Sequence, residues 1–154
     1  MNIDQEKTLI LIKPDGVQRG LIGTVISQLE RRGLKIVALK MLIIDQRLAS
    51  QHYHEHQERP FYKSLIEFIT SSPVVAMVLE GPDAITLVRK TMGATNPLEA
   101  SPGTIRGNMG ITINKNIIHG SDSLESANKE IALFFQPAEI LDYQREIETW
   151  ITES

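Results

Sequence analysis

The sequence predicts an α/β sandwich in which helices cover one face of a four-stranded sheet. Three observations predict it: aliphatic runs alternate with stretches whose apolar residues recur every three or four positions, Gly and Pro punctuate each change of period, and no repeat or low-complexity tract divides the chain. Residues 8–12 (Thr-Leu-Ile-Leu-Ile), ended by Lys13-Pro14-Asp15-Gly16, read as a buried strand and a turn. Leu21, Ile22, Val25, Ile26 and Leu29 then keep helical spacing, and Gly33 stands where a left-handed cap stops that helix. Residues 34–44 are β-branched and aliphatic and predict a second strand. Asp45 caps a helix running into a His-rich stretch that Pro60 closes. Phe61, Leu65, Ile66 and Ile69 make another helical face, residues 74–79 a third strand, and Ile85, Val88 and Met92 the inward stripe of the next helix. Residues 93–116, dominated by Gly, Pro, Asn, Ser and Thr, predict a long, ordered, functional loop. Ile117-Ile118-His119 is a minimal strand. Asp122 with Glu125 three residues later has the form of a helix start, and Leu124, Ala127, Ile131 and Phe134 carry the buried stripe that follows.

Composition narrows the function. The 154 residues, 42% hydrophobic and 23% charged, suit a single domain over residues 1–154, large enough to be stable without staples. The absence of Cys excludes disulfide scaffolds, thiolate metal sites and a cysteine nucleophile. Net charge is −3 and no block of five Lys or Arg occurs, so no stable nucleic-acid partner is expected and any anion site is local. The longest apolar run, residues 74–79, is far short of the roughly 18 residues of a membrane span. The acidic start, Met-Asn-Ile-Asp-Gln-Glu-Lys, is unlike a secretory signal, so the expected address is cytoplasmic.

Neither a Walker loop nor the dinucleotide fingerprint G-x-G-x-x-G occurs, and the nucleophile elbow G-x-S-x-G is also missing. His52-Tyr53-His54-Glu55-His56 satisfies H-x-x-E-H and would set two His on one helical face. Three fixed positions in a His-rich stretch are a weak signal, and a solvated helix face is the reading preferred over a zinc hydrolase site. The stronger cluster is Asn116-Ile117-Ile118-His119-Gly120-Ser121-Asp122. A His ending a strand, followed by Gly and Ser at a helix start, lies in a crevice where backbone N–H groups and the helix dipole attract anions. Glu130 sits at the edge of the next apolar stripe, and a half-buried carboxylate needs a partner. If that partner is the His119 ring, one nitrogen is fixed as N–H and the other keeps a lone pair free to attack. Lys13 after four aliphatics, Arg89 on a helix and Arg106 between Ile105 and Gly107 are available to hold phosphate.

These residues resemble the nucleoside-diphosphate kinase family over nearly the whole chain, Thr8 to Trp150. The family's N-x-x-H-G-S-D is present as Asn116 to Asp122, and Lys13-Pro-Asp-Gly-Val-Gln-Arg-Gly, Arg59-Pro-Phe, Thr95-Asn-Pro and Pro102-Gly-Thr-Ile-Arg-Gly match in order. The resemblance implies a ferredoxin-like βαββαβ fold and ping-pong transfer of a γ-phosphate between nucleoside tri- and diphosphates through phosphohistidine. It implies that His119 is the nucleophile, oriented by Glu130 with Ser121 beside it, and that Lys13, Tyr53, Arg89, Thr95 and Arg106 contact phosphates. Asn116 with Lys13 would meet the ribose hydroxyl, Phe61 would stack on the base, and Mg²⁺ would be held by the nucleotide rather than directly by protein. A homo-oligomer is implied, with the C-terminal extension through Trp150 favouring a hexamer over a tetramer. Asn108 departs from the more usual Asp, and Asn114-Lys115 from the frequent Gly-Arg, which bears on loop anchoring more than on chemistry.

The chemistry is coherent. Exchange between two triphosphates is nearly thermoneutral, so the intermediate must lie close in energy to a phosphoanhydride, as phosphoimidazole does and a serine ester does not. With an ordinary pKa near 6.5, imidazole is largely in its neutral nucleophilic form at pH 7. Phe61 and Leu65, one helical turn apart, offer an apolar clamp without base-edge hydrogen bonds, which predicts broad nucleotide use. The alternative is a catalytically silent nucleotide-binding module, against which the intact Lys13, His119 and Glu130 set argues.

Overall fold

The structure, a computed structural model, describes residues 5–153. Strands β1 (Glu6–Ile12), β2 (Lys35–Leu42), β3 (Val74–Gly81) and β4 (Ile118–Gly120) form one antiparallel sheet in the order β2-β3-β1-β4. The helices are α1 (Pro14–Gln18), α2 (Ile22–Arg31), α3 (Gln46–His52), α4 (Tyr62–Ile69), α5 (Ala84–Met92), α6 (Ile105–Met109) and α7 (Leu124–Phe134). With α2 and α5 as the crossovers, the chain has the ferredoxin-like βαββαβ arrangement that its motifs implied.

Helices cover both faces of the sheet, which corrects the expectation of one. Ile10, Ile12, Val75, Met77 and Leu79 pack with Val25 and Leu29 of α2 and Val88 and Met92 of α5. Leu9, Leu11, Ala76 and Val78 pack on the other side with Ala49 of α3, Ile66 and Ile69 of α4, and Phe134 of α7. Continuous rather than alternating apolar runs are what a strand buried on both sides requires. Each fully buried Leu or Ile contributes roughly 1.5–3 kcal/mol, so these two layers hold the central strands more than local propensity does.

Local chemistry sets the boundaries. Asp45 caps α3 by accepting a hydrogen bond from the Leu48 N–H at 2.8 Å. That helix stops at His52, and residues 54–56 form a 3₁₀ turn, so His52 and His56 do not share a helical face. The solvated face is corrected with it, because the ring nitrogens of His52 are shielded from solvent. At α7 the cap is Ser123, which accepts from the Ser126 N–H at 3.1 Å, in place of the expected Asp122. Gly120 belongs to β4, so His119 is its middle residue and Ser121 stands ahead of the helix start.

The long segment after α5 is ordered and carries its own structure, including α6 and 3₁₀ turns at Pro97–Glu99 and Ile113–Lys115. Thr104 caps α6 by accepting from the Gly107 N–H at 3.0 Å, and Asn108 Oδ1 accepts from the Gly103 N–H at 2.8 Å. The amide at 108 thus supplies an anchor at the position where the motif departs. A Cβ on Gly107 would lie 2.0 Å from the Ser101 carbonyl oxygen. Gly107→Ala is expected to destabilise the protein by about 1–3 kcal/mol, read as a lower urea midpoint; an unchanged midpoint contradicts this account of the turn.

Candidate active site

Sheet order brings the site together, because β1 and β4 are neighbours and Leu11 pairs with His119. The chain leaves β1 through Lys13 and enters β4 through a three-residue γ-turn. Ile118 N–H donates to the Asn116 carbonyl at 2.8 Å, and the central Ile117 has φ +76°. That backbone region is strained for a β-branched residue. The turn is held from both sides, by the Lys13 N–H donating to the Ile117 carbonyl at 2.8 Å and by the Ile117 N–H donating to Asp15 Oδ2 at 3.0 Å.

Beneath lies a cavity of about 240 Å³ lined by eight of the anticipated residues, Lys13, Tyr53, Arg89, Thr95, Arg106, Asn116, His119 and Glu130. Ser121 stands behind them, fully buried. Phe61 and Leu65 do not line the cavity; the Phe61 ring is 45% exposed and its centroid lies 5.8 Å from that of His56, which does.

A chain of hydrogen bonds orients the imidazole. Leu9 N–H donates to Ser121 Oγ at 3.3 Å, Ser121 Oγ donates to Glu130 Oε1 at 2.6 Å, and His119 Nε2 lies 3.0 Å from the same oxygen. Burial pushes the Glu130 carboxyl up, but the hydrogen bonds from His119 and Ser121 and the nearby imidazoles outweigh it and hold the group below its ordinary range. An ionised carboxylate accepts only, which places the imidazole proton on Nε2 and leaves the lone pair on Nδ1. Behind His119, the His52 ring packs edge-on at 4.8 Å between centroids. Burial, reinforced by the neighbouring His119, lowers His52 to about 3, so it is neutral.

Cations are built into the walls. Lys13 Nζ donates to Asn116 Oδ1 at 2.8 Å, and Asn116 Nδ2 donates to the Thr95 carbonyl at 2.9 Å. Arg89 Nη1 donates to the Gly120 carbonyl at 3.0 Å. Arg106, only 4% exposed, donates through Nε to Asn116 O at 3.2 Å, Nη1 to Gly93 O at 3.1 Å and Nη2 to Ile118 O at 2.6 Å. Burial and then the positive charge of Arg89 pull its guanidinium down to about 10. Tyr53 is raised to about 12 by burial and the Glu130 charge and stays a phenol. A pocket with one imidazole oriented by a carboxylate and with fixed cations suits transfer of an anionic group.

The family model for nucleoside diphosphate kinase matches residues 6–140. The chain belongs to the nucleoside diphosphate kinase family. It is 58% identical over 148 residues to a nucleoside diphosphate kinase from Desulforamulus reducens, covering 96% of this chain and 99% of that one. It is 56% identical to one from Archaeoglobus fulgidus, covering 96% and 98%. Among solved structures, the nucleoside diphosphate kinase of Halobacterium salinarum in complex with CDP is similar at TM-score 0.95 and 49% identity, with 97% of this chain and 100% of that chain covered. A family protein from Babesia bovis is similar at TM-score 0.93 and 45% identity, covering 96% and 99%.

The cavity also holds His52 and His56, which sequence reasoning assigned to a helix face, and Asp122, which it assigned to a cap. No residue of the His-rich stretch signals the change from helix to 3₁₀ turn that goes with the place of His56 at the cavity.

Lys13 yields a pH prediction. Burial, together with the charge of Arg106 and against that of Asp15, lowers its ammonium to about 8. A lowered lysine loses charge as pH rises through that value, so kcat/KM for nucleotide is expected to fall above about pH 8. Lys13→Arg should move that limb to higher pH; a limb that stays in place removes Lys13 as its source. Between about pH 8 and 10.5 the unfolded chain binds the proton that the native state lacks, so this group's contribution to stability rises with pH there.

Proposed function

We propose that the chain, working as one domain over residues 1–154, catalyses reversible ping-pong transfer of the γ-phosphate between nucleoside tri- and diphosphates of broad base and sugar type through phosphohistidine at His119. The Ser121–Glu130–His119 hydrogen-bond chain carries this reading, since it leaves Nδ1 as the one ring atom with a free lone pair. In the forward half-reaction Nδ1 forms the bond to γ-phosphorus as the bond to the β,γ-bridging oxygen breaks, and the diphosphate leaves with those electrons. The ring becomes an imidazolium whose Nε2–H is stabilised by the Glu130 carboxylate. The second nucleotide reverses these steps.

Lys13, Tyr53, Arg89, Thr95 and Arg106 would hold the phosphates, each charge-assisted hydrogen bond contributing roughly 1.5–3 kcal/mol. Asn116 and Lys13 would meet the ribose hydroxyl. A 240 Å³ cavity is smaller than the roughly 300–1,000 Å³ of an ordinary ligand site. It suits the polyphosphate, leaving the base outside between Phe61 and Leu65. Hard dications demand oxygen-rich shells, and Glu130 is already engaged by His119 and Ser121, which fits Mg²⁺ carried mainly on the nucleotide phosphates. When bound it neutralises phosphate charge that the protein cations leave.

No helix among the described residues is long and apolar enough to cross a membrane, and we place the protein in the cytoplasm. Leu39, Met41 and Ile43 along the edge strand and its end, with Ile147 and Trp150 in the C-terminal tail, are exposed. Apolar groups so placed support a homo-oligomer, and the C-terminal extension through Trp150 favours a hexamer over a tetramer by resemblance to the family. Exchange of phosphate between ATP and several nucleoside diphosphates tests the activity. Turnover with purine and pyrimidine acceptors within about tenfold of one another is expected; binding of ADP without exchange identifies a silent module.

A further inference from the structure

We infer that His52, His119 and Glu130 form a binding site for a dication of the zinc class, and that filling it locks His119 out of the tautomer that accepts phosphate. One ligand atom from each of the three residues lies within 4.8 Å of the others. Two of them are 3.0 Å apart, His119 Nε2 and Glu130 Oε1. Ligands of one tetrahedral zinc ion, at about 2.0–2.2 Å each, stand roughly 3.4 Å from one another, so the His119–Glu130 pair must open slightly and the widest pair must close by up to about 1.4 Å.

The second observation is His52 itself. Both of its ring nitrogens are shielded from solvent, the ring lies edge-on to His119, and neither nitrogen has a hydrogen-bond partner. A buried polar group without a partner calls for an explanation, and a lone pair beside a His and a carboxylate is what a borderline metal seeks. His52 ends α3, where a change of rotamer can bring a nitrogen to the ion without moving a helix interior. The fourth position is left to water. Two imidazoles and one carboxylate select zinc, cobalt, nickel or copper over magnesium, which prefers oxygen.

The effect on His119 follows from proton counting. A neutral imidazole carries one proton and one lone pair. A dication at Nε2 takes that nitrogen's lone pair, so the proton held there toward Glu130 moves to Nδ1. The nitrogen that faces phosphate is then an N–H with nothing to donate to phosphorus. No proton is released, and Glu130 stays ionised. This inhibitory consequence rests on the reading of His119 as nucleophile, whereas metal uptake does not.

The test uses the dephosphorylated full chain with Co²⁺, whose four-coordinate complexes absorb visible light. One equivalent is expected to bind in the presence of excess Mg²⁺, with absorption lost in His52→Ala and kept in His54→Ala. Absence of cobalt uptake by the wild type, or uptake surviving in His52→Ala, overturns the site. Should His52→Ala not fold, ¹⁵N spectra of the wild-type imidazoles decide. At one equivalent of Zn²⁺ both His52 and His119 must shift, with the His119 proton moving from Nε2 to Nδ1; shifts confined to His54 overturn the proposal. Labelling by [γ-³²P]ATP is expected to fall at least tenfold at that same equivalent and to recover after EDTA and renewed Mg²⁺. Undiminished labelling with the metal bound overturns the tautomer lock. Failure of the nucleophile reading shows separately, as labelling that persists in His119→Ala without any zinc.

Discussion

His119→Ala is expected to abolish acid-labile, base-stable ³²P labelling from ATP and to lower kcat by roughly 10⁵- to 10⁶-fold, the scale seen when a nucleophile is removed from an enzyme that works as a unit. The fold should survive the change. The His119 side chain is 24% exposed at the cavity wall and contributes little to either apolar layer. What it leaves behind is Glu130, which keeps the Ser121 hydroxyl but loses the imidazole that helps hold it ionised. Nucleotide affinity should change little, because Lys13, Arg89 and Asn116 are untouched. A variant that folds, binds ADP and is still labelled removes His119 from the mechanism.

Arg106→Ala is expected to be the most destabilising single change at the site, by about 3–5 kcal/mol, the penalty typical of breaking a buried charged network. Three backbone carbonyls, at Gly93, Asn116 and Ile118, share its guanidinium, and each of these bonds involves a charge. They belong to the end of α5, the γ-turn and β4, so the arginine ties together three segments that converge on His119. Arg106→Lys should recover less than half the loss, since an ammonium on one flexible stem cannot reproduce a planar fork aimed at three oxygens. Three of the five guanidinium N–H groups are used in this way, leaving two to face an anion. Activity should therefore fall together with stability. Urea unfolding and kcat/KM measured on the same preparation decide the matter; an alanine variant within 1 kcal/mol of wild type rules out the buttress.

How far the sequence could be read depended on the range of the interaction. The Asp45 cap was legible because the short reach of its carboxylate ends three residues away, and the strands at Leu9–Ile12 and Val74–Leu79 because their composition alone demands burial. The cap on α7 was not. Asp122 and Ser123 are both good cap formers, and the choice of Ser123 goes with Asp122 lining the pocket. The early end of α3 was hidden for a similar reason, since its last residue, His52, packs against His119 and Phe134, neither near it in sequence. The pairing of His119 with Glu130 could be anticipated from one apolar stripe, and the hydrogen bond lies where that stripe puts it. The use of Arg106 on carbonyls could not, because backbone acceptors carry no side-chain letter.

The strand bearing His119 joins the sheet only through β1, and the Leu9–Ser121 hydrogen bond closes a loop of 112 residues. Contacts between such distant parts of a chain carry a large closure entropy and form late. On the ribosome, His119 and Glu130 are made in the last quarter of translation, after Lys13, Arg89 and Arg106. The cations are thus made before the groups at residues 116–120 that fix Lys13, Arg89 and Arg106 in place, so the pocket can close only when most of the chain has been synthesised.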